Sequence, residues 1–166
     1  MTDIKMRAAV SALEASIVEG IASGDFVDAM DQCPVVHHFA PTIEEYGCGT
    51  YARELTMPKG ATIVGKLHRH AHLAFLLKGK VAVVSEFGKE IMEAPYTFLS
   101  PLGAKRAFHA LEDSILTTIH LTKHTQEEAL EDIEDEVISE TYTALGMKEP
   151  DMKMFYKELE KIQWHG

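Results

Sequence analysis

The run Gly65-Lys66-Leu67-His68-Arg69-His70-Ala71-His72 sets three histidines at alternate positions, directly ahead of an apolar stretch that closes at Gly79. Imidazole is the commonest protein ligand for metals, and alternate residues of an extended strand share a face. His68, His70 and His72 can therefore converge as nitrogen donors on one divalent ion. The plainer reading is a polar strand end with solvated imidazoles, because H-x-H-x-H is not one of the tightly spaced metal signatures.

Other chemistry-bearing residues are weaker candidates. Cys33, His37, His38 and Cys48 have zinc-ligand types, but their spacing fits no finger or ribbon. A lone cysteine pair with no export signal reads as reduced thiols. The acidic run 127–136 lacks the alternating oxygen ligands and central glycine of a calcium loop, so it reads as a solvated helix face. Ser85, Ser100 and Ser114 have no nucleophile-elbow context. Arg53 and Glu54 are adjacent on an expected strand, so one faces inward and the other outward; an inward Glu54 would be a ligand or general base, and an outward one an exposed or ion-paired carboxylate.

The elements that must position these residues follow from periodicity. Met6, Val10, Leu13, Ile17 and Ile21 step by three and four, which predicts an amphipathic helix over 3–22. A short helical turn over 25–30 follows, ended by Pro34. From Pro34 the texture becomes that of short strands at 35–39, 51–57, 61–67, 80–86, 90–93, 96–99, 106–111 and 114–122. Turns fall at Pro58-Lys59-Gly60 and Phe87-Gly88-Lys89. With no helix between them, such strands predict an antiparallel sandwich or barrel. Thr125 and Glu128 have the spacing of a capping box, with Leu130, Ile133 and Val137 as the stripe of the helix behind it. Pro150 suits the first position of a last helix carrying Met152, Phe155, Leu159 and Ile162, with Trp164 beyond.

These elements give an N-terminal helical extension over 1–33, a barrel over 34–122 and C-terminal helices over 123–166, forming one domain. A length of 166 residues supports its own core without a structural metal, so a bound metal would be functional. The balance of 16 basic and 26 acidic residues, a formal charge of −10, opposes nucleic acid as a partner. No segment reaches the ~18 apolar residues of a membrane span, and no signal core is evident, so a cytoplasmic protein is expected.

The segment 51–122 resembles the cupin superfamily, a mainly β fold built on an antiparallel jelly-roll barrel, here with flanking N- and C-terminal α-helices. Gly79 matches the glycine that closes the first cupin motif. His72 then falls in its glutamate slot, His68 in its second histidine slot and Lys66 in its first. Pro101-Leu102-Gly103 matches the start of the second motif, whose histidine slot holds Arg106. The chain is also similar to small cupin-like proteins of tailed bacteriophages and prophages, through elements such as Tyr51-Ala52-Arg53-Glu54, Gly103-Ala104-Lys105-Arg106 and Thr117-Thr118-Ile119-His120. That likeness covers about half the chain and implies residence in the host cytoplasm, with no assigned reaction.

Two arrangements follow from the resemblance. In one, His68, His70 and His72 hold zinc, iron, nickel or copper together with a fourth histidine from the last strands, His120 in preference to His109. His70 is questionable there, because this motif bends before the glutamate slot. In the other, no metal binds and Lys66 and Arg106 hold an anionic group. Both give a pocket for a small-molecule ligand that includes Glu54, Lys66, Arg106 and His109. The terminal helices are expected to pack on the barrel or to exchange between subunits of a homodimer.

Overall fold

The structure, a computed structural model, describes residues 4–153. Helix α1 (Ile4–Ser23) is followed by a 3-10 turn (Ala29–Gln32), in which the Asp28 carboxylate accepts from the Met30 amide at 2.9 Å. Ten strands come next: β1 (Val35–Ile43), β2 (Cys48–Met57), β3 (Thr62–Val64), β4 (Leu67–His68), β5 (His72–Lys78), β6 (Lys80–Ser85), β7 (Gly88–Glu93), β8 (Tyr96–Ser100), β9 (Arg106–Ala110) and β10 (Ser114–Thr122). A 3-10 turn (Glu127–Ala129) leads into α2 (Leu130–Val137), the short β11 (Ile138–Ser139) and a last 3-10 turn (Thr143–Leu145).

The strands form two main antiparallel sheets, ordered β1-β2-β10-β5-β8 and β3-β9-β6-β7, with β11 and β4 as a separate pair. The pairings are nested. Strand β6 pairs with β7, β5 with β8, β3 with β9 and β2 with β10. The pairings β5·β10 and β6·β9 then bring the nested pairs side by side. A long hairpin rolled over in this way into two facing sheets is a jelly roll. No helix among the described residues is long and apolar enough to cross a membrane.

Period-two burial explains why these segments are strands. In β6 the residues Val81, Val83 and Ser85 are buried while the alternating ones are less so, and His72, Ala74 and Leu76 are the buried set in β5. The inner faces meet in a core containing Met57, Leu76, Val81, Val83, Met92 and Phe108. Each fully buried side chain of this kind contributes about 1.5–3 kcal/mol. Cys33 lies in that core and Cys48 opens β2; both are free thiols.

Three local expectations change. Helix α1 buries Arg7, Ala8, Val10 and Ala12, while Leu13 of the expected stripe is 39% exposed. The helix is rotated because Arg7 Nε donates to Glu86 Oε2 at 2.7 Å, a buried ion pair with the β6–β7 turn. That turn is Glu86-Phe87, since Ser85 pairs with Gly88. The capping box at Thr125 does not form: Gln126 occupies the cap without a side-chain bond, and the Thr125 methyl packs against Gly49. The expected C-terminal helix lies outside the described residues beyond Met152 and Lys153, which are helical.

Gly79 sits where the chain passes from β5 to β6, with φ +81°, and an added Cβ would lie 2.4 Å from Asp113 O. Gly60 has φ +89° with nothing within 4 Å of such a Cβ. Gly60→Ala should therefore cost about 1 kcal/mol from backbone strain alone, and Gly79→Ala about 2–4 kcal/mol because a clash with backbone is added. Urea denaturation of the two variants measures the difference; equal costs would contradict the packing at Gly79.

Candidate metal centre

The inner face of the five-stranded sheet is graded in polarity from row to row. Register places Leu55 opposite Leu116, Arg53 opposite Thr118 and Tyr51 opposite His120. Across the other side of β10, Leu116 faces Leu76 and Thr118 faces Ala74, while Ile119 faces Leu73, so His120 comes beside His72 one step on. Strand β8 adds Phe98 opposite Ala74 and Ser100 opposite His72. The rows are thus an apolar one (Leu55, Leu116, Leu76), a mixed one (Arg53, Thr118, Ala74, Phe98) and a polar one (Tyr51, His120, His72, Ser100).

His68 reaches the same place from another element. It lies on β4, paired with Ile138 of β11, and its carbonyl accepts from the Gly103 amide at 2.9 Å. The next residue is also anchored, with the Arg69 amide donating to Val137 O at 2.8 Å. Helix α2 packs Ile133 and Val137 against Tyr51. The C-terminal segment therefore holds β4, and with it His68, over the polar end of the barrel.

The three rings converge. Centroids are 4.2 Å apart for His68 and His72, 4.5 Å for His72 and His120, and 5.0 Å for His68 and His120. One ring nitrogen from each lies within 4.8 Å of the others, and this is the one such cluster among the described residues. His72 and His120 are buried, each 7% exposed. His72 Nδ1 lies 3.4 Å from His70 O; a carbonyl only accepts, so Nδ1 carries the proton and Nε2 keeps its lone pair. His120 Nε2 is 3.1 Å from Thr118 Oγ1. Tyr51 stacks on His120 at 6.3 Å, and its hydroxyl is 2.8 Å from His37 Nδ1.

Burial, then the charges of His72, His120 and Arg53, push His68 down to about 3. Burial, then His72 and Arg53, takes His120 to about 4. His72 is also lowered, by burial and by Arg106, against the opposing effect of the His70 carbonyl. All three are neutral at pH 7, the form that donates to a metal. Nitrogens around a tetrahedral zinc stand about 3.4 Å apart at bonds of 2.0–2.1 Å, so small ring rotations would close the cluster on an ion. Three imidazoles without a carboxylate suit zinc, iron, nickel or copper, and leave further coordination positions open.

The remaining expected site residues are placed as follows. His70 is exposed and outside the cluster, because 69–70 form a bend and the strand alternation stops there. His109 is exposed on the outer face of β9, with Nδ1 2.8 Å from Thr62 Oγ1, while Arg106 and Phe108 face the cavity. Lys66 is exposed and ion-paired with Glu134 of α2, and both border the cavity. Glu54 points outward, its carboxylate 3.4 Å from His38 Nε2. Arg106 faces inward, 9% exposed; its Nη1 donates to Ser100 Oγ at 2.6 Å, and its guanidinium lies 5.2 Å from Phe98 and 5.7 Å from Phe87. Arg53, left without a role in the sequence reading, is the inward member of the Arg53-Glu54 pair. Only strand parity could have singled it out, and parity needed a register.

Cluster and barrel interior open into one cavity of about 1280 Å³, which Leu13, Ile17 and Ile21 of α1 also line. The fold and site define a jelly-roll protein with a three-histidine centre at the polar end of a ligand-sized barrel. Similar solved structures include a cupin superfamily protein from Desulfitobacterium hafniense, at 11% identity and TM-score 0.42, covering 53% of this chain and 77% of that one. The Cnp3 cupin domain of Schizosaccharomyces pombe is similar at 17% identity and TM-score 0.43, over 66% of this chain and 74% of that one. A salicylate 1,2-dioxygenase from Pseudaminobacter salicylatoxidans is similar at 11% identity and TM-score 0.46, over 75% of this chain and 35% of that one. At this similarity none of their activities follows for this chain. No family model and no curated protein matches the sequence.

An unfolded chain takes up protons at these histidines below about pH 6.5. The folded chain keeps His68 and His120 neutral to about 3 and about 4. Stability of the metal-free protein is therefore complete above the unfolded value and falls as pH drops below it, by up to about 1.4 kcal/mol per pH unit for each proton withheld. Urea denaturation at pH 7, 6 and 5 should show this fall, and His120→Gln should shallow it. A stability that is flat from pH 7 to 5 would contradict the buried neutral cluster.

Proposed function

We propose that this protein holds one divalent transition metal on His68, His72 and His120 and presents it to a small molecule bound in the barrel. The observation that carries the reading is the convergence of three neutral imidazoles, two buried and one half-buried, from two separate strands of one sheet and from β4, on a single point facing the cavity. A metal held there would supply a Lewis acid able to polarise a ligand oxygen. The chain's own residues supply the rest. The His70 carbonyl fixes the His72 tautomer, Thr118 and Tyr51 hold the His120 ring, and α2 with β11 holds His68 over the cavity.

The sequence likeness of 51–122 to cupin-like proteins of tailed phages supports placing the protein in that group, acting in the cytoplasm of a host cell. A homodimer is also part of the reading. It is supported by an apolar row across the outer face of the five-stranded sheet, where Leu99 pairs with Leu73 and Leu73 with Ile119; Leu99 and Leu73 are 62% and 47% exposed.

Elemental analysis of untagged protein purified without added metal tests the centre. About one transition-metal ion per chain is expected, lost in His68→Ala and His120→Ala and kept in His70→Ala and His109→Ala. Retention in the first pair, or equal loss in all four, would overturn the assignment.

A further inference from the structure

Two arginines of this acidic protein, Arg53 and Arg106, line the barrel cavity. Of the carboxylates bordering the cavity, Glu14 is paired with Lys105 and Glu134 with Lys66, while Asp25 accepts from the Ser23 hydroxyl and Asp28 from the Met30 amide. No ion pair among the described residues involves Arg53 or Arg106. The two arginines differ in availability. Arg106 is buried, close to the Phe98 and Phe87 rings and committed to Ser100, with an Nε that finds no acceptor. Arg53 is only partly buried and lines the cavity. It sits one row below His120, and its charge is felt by both His68 and His120.

The surroundings of Arg53 specify what it meets. Its row continues through Thr118 to Ala74, a small side chain that leaves room beside the guanidinium. The row beneath is Leu55, Leu116 and Leu76, and Phe108 closes on it from the facing sheet. A cavity-facing arginine without a carboxylate partner has lost part of its hydration for no compensating pair, and a ligand anion restores that balance. An apolar floor directly below favours hydrocarbon over a second charged group.

We infer that the cavity takes a small monocarboxylate with a hydrocarbon body, its carboxylate held by Arg53 beside the three histidines and its body resting on Leu55, Leu116 and Phe108. This rests on the metal reading only for the position of the carboxylate relative to an ion; the Arg53 contact exists in the metal-free chain as well. Inorganic phosphate satisfies the arginine but leaves the apolar floor unused, and a neutral amide of the same length uses the floor but not the arginine.

Calorimetric titration of the full chain, metal-free and zinc-loaded, with hexanoate, hexanamide and inorganic phosphate separates these cases. Hexanoate should bind at least tenfold more tightly than either competitor in both forms. Arg53→Gln should weaken hexanoate at least tenfold while zinc stoichiometry stays at one per chain, and Arg53→Lys should keep part of the affinity. Equal binding of hexanamide or phosphate, or hexanoate affinity unchanged in Arg53→Gln, would overturn the inference. If Arg53→Gln does not fold, the three-probe comparison on the native chain and Arg53→Lys decide it. Discrimination for hexanoate without any zinc binding would overturn the metal reading alone; zinc binding without discrimination would overturn the carboxylate inference alone.

Discussion

The register of β10 is the constraint on which the site depends. This strand lies between β2 and β5, so one alignment fixes two sets of neighbours at once: His120 against Tyr51 on one side and beside His72 on the other. Side chains alternate along a strand, so a slip of one residue would turn Leu116, Thr118 and His120 to the outer face together. The same register that buries Leu116 against Leu55 and Leu76 therefore places the imidazole. Apolar burial at the base of the barrel selects the geometry at its polar end.

Concentrating polar groups at one end of a core has an energetic consequence. Three imidazoles within ring-contact distance cannot all be protonated, and burial opposes even one charge. The protein resolves this by keeping them neutral, with His72 bonded to a backbone carbonyl and His120 within reach of a threonine hydroxyl. Arg53 and Arg106 add positive potential on two sides, which further disfavours protonation and attracts anions into the cavity. One electrostatic arrangement thus keeps the histidines in their donor state and leaves the cavity positive in potential.

Much of the fold was legible in the chain, because the glycine and proline punctuation and the period-two runs after Pro34 mark nearly every strand of the barrel. The histidine-rich segment was legible as a candidate site but not in its membership. Alternation from His68 to His72 holds only for an unbroken strand, and the bend at 69–70 leaves His70 outside while His68 and His72 still meet across it. Lys66 was expected at a ligand because of its motif slot, yet Glu134 draws it outward, a tertiary partner 68 positions along the chain that no local pattern reveals. The inward turn of Arg53 rather than Glu54 depends on parity, which only the pairing of β2 with its neighbours sets. The service that β11 renders to His68 has no local signal, since two residues pairing with two residues leave no periodicity to read.

The ligands that surround a metal bound to this chain decide whether His68, His72 and His120 form a centre. X-ray absorption spectroscopy of the zinc-loaded protein counts and types the ligands directly. Three imidazole nitrogens at about 2.0–2.1 Å, completed by oxygen and with no sulfur, is the predicted shell. Sulfur scattering from Cys33 or Cys48, or a shell with fewer than two imidazoles, would contradict it.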